Sequence, residues 1–143
     1  MSENNPIEIW LIDDDDGHAL LVEESFQDAG LRNGFVRARE GSEGLMWLQD
    51  VEAGRRPRPG LVLLDISMPG VDGFEILEGI KASQTLKSIP VIMLTSTDHP
   101  REIQRSYNLG ANAYIVKPVG VPALMTAINH AVLFVLEIVR VSR

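Results

Sequence analysis

Cysteine is absent from the 143 residues. Its absence excludes disulfides and thiolate metal ligands and is compatible with a cytoplasmic location. Basic residues are in deficit: 13 Lys and Arg stand against 20 Asp and Glu, a formal net charge of −7. Nucleic-acid binding needs the opposite surplus, so direct DNA or RNA contact is not expected. Residues 1–6 lack the apolar core of a signal peptide and read as a disordered N-terminus. Long apolar runs are missing as well. The richest, Ala131 to Val141, has nine apolar residues in eleven and is too short to span a bilayer. His18, His99 and His130 are scattered without metal-ligand spacing and are expected at the surface or at helix ends. What remains is a chain of 45% hydrophobic content, enough for one domain with a sizeable core over residues 7–143.

Short apolar runs alternate with longer helical patterns. Strands are expected at Ile7 to Ile12, Phe35 to Ala38, Leu61 to Asp65, Val91 to Thr95 and Ala113 to Val116. Between them, helices are expected from about His18 to Ala29, near Ser42 to Ala53, and around Phe74, Leu77 and Ile80. A fourth runs from about Asp98 to Leu109 after a Thr97-Asp98 cap, and a long last one from about Val121 to beyond Glu137. The Gly54 to Gly60 stretch, with two prolines, reads as a loop whose three arginines are solvated. Trp10 and Trp47 lie in apolar segments and are expected in the core, and Asp72 is expected at a helix start. Five strands alternating with five helices predict an α/β fold, a doubly wound parallel sheet covered on both faces.

In such folds the chemistry lies beyond the carboxyl ends of the strands. Four of the five ends here are polar: Asp13 with Asp14, Asp65, Thr95 with Ser96, and Lys117. Several carboxylates at one sheet edge repel one another unless a cation joins them, and Mg²⁺ suits hard oxygen donors. A carboxylate can attack phosphorus to give an acyl phosphate, with a metal and a lysine offsetting charge on the phosphoryl oxygens. Asp65 is the candidate nucleophile, Lys117 and the Thr95 hydroxyl the candidate phosphoryl ligands. Asp15 and Asp16 read instead as cap and first-turn residues of the first helix.

These residues resemble the receiver domain of two-component response regulators, including CheY-like stand-alone forms. The likeness rests on Asp13-Asp14, on Asp65 within Leu-Leu-Asp-Ile-Ser-Met-Pro-Gly-Val-Asp-Gly, on Thr95 within Met-Leu-Thr-Ser, and on Lys117 within Ala-Tyr-Ile-Val-Lys-Pro. The spacings of 30 residues from Asp65 to Thr95 and 22 from Thr95 to Lys117 also match. The resemblance covers about residues 7 to 138. It implies a flavodoxin-like strand order 2-1-3-4-5 and phosphorylation of Asp65 by a histidine kinase. It implies Mg²⁺, or Mn²⁺ in its place, held by Asp13, Asp14, Asp65 and the backbone carbonyl of Ser67, a position where the family more often has Asn or Asp. It also implies phosphoryl contacts from Lys117, Thr95 and Ser96, a Thr95–Tyr114 switch pair, and a cis Lys117–Pro118 peptide.

The segments Arg105 to Leu109 and Leu136 to Arg140 resemble the small regulators that accompany bacterial phytochromes, a subgroup that often dimerises. The terminal helix is apolar nearly all round, so a homodimer through helix four, strand five and helix five is expected. With about five residues after the last family-like helix, no output domain is expected, and the signal would leave through a downstream protein. The chain is therefore expected to be a switch, acting on no substrate beyond its own Asp65. Two other readings compete. A haloacid-dehalogenase-like Mg²⁺-dependent phosphatase would need a second Asp where Ser67 stands. A pseudo-receiver would be only a dimeric scaffold.

Overall fold

The computed structural model describes residues 8–28, 34–117, 122–123, 126–127 and 129–130. Strands β1 (Ile9–Ile12), β2 (Phe35–Ala38), β3 (Leu61–Leu64), β4 (Val91–Thr95) and β5 (Ala113–Val116) form one sheet in the order β2-β1-β3-β4-β5. Every pairing is parallel, as expected. The alternation of strand side chains divides the core in two. Trp10, Ile12, Val62, Leu64 and Met93 face one way, against Leu48 and Val51 of α2 (Gly41–Glu52) and Phe74, Leu77 and Ile80 of α3 (Gly73–Ala82). Ile9, Leu11, Leu61, Leu63, Ile92 and Leu94 face the other, against Ala19, Val22 and Phe26 of α1 (Asp16–Asp28). Cover on both faces explains why the central strands β1, β3 and β4 are near-continuous apolar runs.

Helix starts follow local chemistry. Asp15 caps α1, its Oδ1 accepting from the His18 backbone N–H at 3.0 Å, so the helix begins at Asp16 rather than near His18. That N–H bond holds the Asp15 carboxyl below its ordinary range. Asp72 and Glu75 form a reciprocal capping box at α3. Helix α4 (Pro100–Asn108) corrects the expected Thr97-Asp98 cap: its cap is His99, whose Nδ1 accepts from the Arg101 N–H at 3.2 Å. Proline fits the first helical position and bars the residue before it from helical geometry, so the cap must be residue 99. At its other end Gly110 N–H donates to Tyr107 and Ala111 N–H to Ser106, with Gly110 at φ 102°, a left-handed stop that favours glycine.

Trp10 is fully buried and meets Trp47 edge-on at 5.4 Å between ring centroids. The loop arginines are not simply solvated. Arg56 lies 4.3 Å over the Trp47 ring and near Glu8, while Arg55 pairs with Asp50 at 2.9 Å. The strand expected from Ile7 begins at Ile9 among the described residues. The expected last helix lies largely outside them, although 122–123, 126–127 and 129–130 are helical. Pro118, and with it the expected cis peptide, lies outside them too. Among the described residues no helix is long and apolar enough to cross a membrane.

Candidate functional site

The ends of β1 and β3 lie side by side, with Ile12 paired to Leu64 and the Asp65 N–H bonded to the Ile12 carbonyl at 3.0 Å. The next residue on each strand is acidic. Asp13, Asp14 and Asp65 each bring one carboxylate oxygen within 4.8 Å of the others. Asp13 and Asp65 are buried, whereas Asp14 is exposed. Three hard oxygen donors open to solvent on one side fit a Mg²⁺-sized cation that retains waters.

Lys117 closes the site from β5. Its Nζ donates to Asp13 Oδ2 at 2.9 Å and stands 3.9 Å from Asp65 Oδ2, and the side chain is only 4% exposed. The backbone holds it there, because the Lys117 N–H donates to the Thr95 carbonyl at 2.7 Å. One ammonium cannot neutralise three acids. Burial pushes the Asp65 carboxyl up to about 6, with repulsion from Asp13 and Asp14 adding to it and Lys117 opposing.

Thr95 is fully buried at the end of β4, and its hydroxyl oxygen faces the Thr97 N–H at 3.5 Å. Ser96 and Ser67 are exposed at the rim. Tyr114, on β5, donates its hydroxyl proton to the Thr97 carbonyl at 2.8 Å, so it fastens the loop that leads into α4. Burial pushes that phenol up to about 12, with Glu102, Asp98 and Asp65 adding to it. The four strand ends read from the sequence thus converge at one edge. Asp15 and Asp16 stay apart, as cap and first-turn residue.

Two residues with structural parts here escaped the sequence. Gly73 opens α3 where its backbone runs against the Asp65 carbonyl, and a Cβ there would collide with that oxygen. Arg37 on β2 reaches the Asp13 carbonyl. The Gly after Asp72 was visible as part of a turn, and a lone arginine in an apolar strand was the available signal for the other.

Residues 9–129 match the family described as the response regulator receiver domain. The response regulator Rcp1 of Synechocystis is 33% identical over 137 residues, covering 95% of this chain and 93% of that protein. The phosphorylated cyanobacterial phytochrome response regulator RcpA superposes with a TM-score of 0.85 at 32% identity, over 92% of this chain and 94% of that one. The Mn²⁺-bound form of Rcp1 does so with a TM-score of 0.81 at 32% identity, over 87% and 91%.

Proposed function

Because the chain belongs to the response regulator receiver family of two-component signalling, we propose that it is switched by a phosphoryl group taken onto Asp65 from the phosphohistidine of a histidine kinase. One observation carries this reading: Asp65 stands buried beside two further carboxylates and within 3.9 Å of the Lys117 ammonium. In the transfer the phosphorus–nitrogen bond of the donor breaks and a phosphorus–oxygen bond forms to an Asp65 carboxylate oxygen. Asp13, Asp14, Asp65 and the Ser67 carbonyl would hold Mg²⁺, and the existence of a Mn²⁺-bound relative supports Mn²⁺ as a substitute. Bound metal supplies positive charge against the phosphoryl oxygens. Lys117 exchanges its Asp13 contact for a phosphoryl oxygen, and the Thr95 and Ser96 hydroxyls donate hydrogen bonds to the others. Movement of Thr95 towards the phosphoryl group disturbs the Thr97 segment that Tyr114 fastens, and so reaches α4.

Response regulators are signalling proteins rather than classical enzymes, which displaces the phosphatase reading. The likeness to RcpA, a phytochrome response regulator, supports a phytochrome-type sensor as the kinase. Acetyl phosphate with Mg²⁺ should shift the protein on a phosphate-affinity gel, and Asp65→Asn should abolish the shift. An unshifted parent protein would favour the scaffold reading.

The output is a protein contact through α4 and β5, where Tyr107 and Val116 are exposed large side chains. A homodimer through this face is expected, with a downstream protein as the next recipient. Equilibrium sedimentation at tens of micromolar, with and without beryllofluoride, should give a dimer in at least one state. A monomer in both would refute it.

A further inference from the structure

Arg37 reaches the acid loop from the side of the sheet opposite to Lys117. It sits on the edge strand β2, opposite Leu11, and its side chain is 17% exposed. Its Nε and Nη2 both donate to the Asp13 carbonyl, at 3.0 and 2.9 Å, and its Nη1 donates to Asp16 Oδ1 at 2.6 Å. The Asp13 carbonyl belongs to the peptide that joins Asp13 to Asp14. Its plane therefore fixes the direction in which both carboxylates leave the backbone. Two further bonds complete the hold: the Asp13 N–H donates to the Ala38 carbonyl at 3.2 Å, and Asp13 Oδ1 accepts from the Asp15 N–H at 2.9 Å.

From this geometry we infer that Arg37 is a positioning residue for the cation site, acting through the Asp13–Asp14 peptide, a role that rests on the acid cluster holding metal as proposed above. A planar fork can grip one carbonyl with two N–H groups while a third reaches a neighbouring carboxylate; an ammonium on a flexible stem cannot. The guanidinium also brings a fixed positive charge to a loop with four consecutive acids, lessening their repulsion before any cation arrives. It does so without itself engaging a carboxylate oxygen of Asp13 or Asp14. Groups that orient metal ligands commonly change metal affinity by about 10-fold or more when removed.

The test is the dissociation constant for Mn²⁺, read from the free-ion signal in electron paramagnetic resonance and repeated with Mg²⁺ as competitor. Arg37→Ala should raise it about 10-fold. Arg37→Lys, which keeps the charge but not the fork, should fall between the parent and the alanine variant, and it carries the comparison if the alanine variant does not fold. Arg56→Ala removes another half-buried arginine, stacked on Trp47 and paired with Glu8 rather than with the Asp13–Asp16 loop, and should leave the constant unchanged even if the melting temperature drops. A constant within twofold of the parent in Arg37→Ala, or equal losses in the Arg37 and Arg56 variants, would overturn the inference. Asp65→Asn separates the two levels. If it weakens Mn²⁺ binding while Arg37→Ala does not, only the role of Arg37 fails; if it leaves binding unchanged, the metal-site reading fails with it.

Discussion

In metal-free buffer at pH 7.5, Asp65→Asn is expected to melt about 6 °C above the parent protein. The cause is the burial and repulsion that push the Asp65 carboxyl from 3.8 up to about 6. The folded chain then holds the proton more tightly than the unfolded chain does, so between about pH 4 and pH 6 stability falls as pH rises. Above that window the full penalty stands, about 2 kcal/mol once solvent at the open side of the site is allowed for. Below about pH 4 the carboxyl is neutral in both states and the penalty is gone. The gap between parent and variant should therefore be widest at pH 7.5 and close at pH 4. Mg²⁺ should reverse the order. At about 100 times its dissociation constant it adds roughly 2.7 kcal/mol to the parent, and little to a variant lacking one carboxylate. Differential scanning calorimetry decides it: a variant that melts at or below the metal-free parent at pH 7.5 would contradict the destabilisation described.

Gly73→Ala should cost about 3 kcal/mol of stability and slow phosphoryl acceptance by Asp65 at least tenfold. The added Cβ would strike the Asp65 carbonyl and come within 2.8 Å of the Ile66 Cα, both of them backbone that has no rotamer to yield. Either α3 backs away, losing the 3.0 Å bond from Gly73 N–H to the Ile66 carbonyl, or Asp65 is displaced from its neighbours. Gly79 on the same helix provides the control, since a methyl group added there would meet nothing within 4 Å. Gly79→Ala should stabilise by up to about 1 kcal/mol, as alanine does in a helix interior. Urea titration and acetyl phosphate uptake measure both, and equal behaviour of the two variants would refute the collision.

The strands at 35–38, 91–95 and 113–116 were legible to the residue because mostly apolar segments there are bounded by glycine, proline or polar side chains. The acids at 13, 14 and 65 were legible for the same reason. The α4 cap was misplaced because Thr and Asp are the usual cappers, and only the restriction that Pro100 puts on His99 moves the start. Arg56 looked solvated because stacking on Trp47 joins residues from a helix and a loop that no local pattern links. Arg37 was silent for a deeper reason. Its meaning depends on the register that sets β2 beside β1, and register is a property of two strands at once.

The segment after Asp65 is wedged between two helix starts: Gly41 of α2 admits the Val71 carbonyl, and Gly73 of α3 lies on the Asp65 carbonyl. The segment after Thr95 is tied across to β5 by the Tyr114 hydroxyl. The sheet edge is thus packed backbone against backbone on the acceptor's side and tied by a side chain on the other. Under the phosphoryl transfer proposed above, a displacement at Asp65 would find room on the β4 side, towards α4.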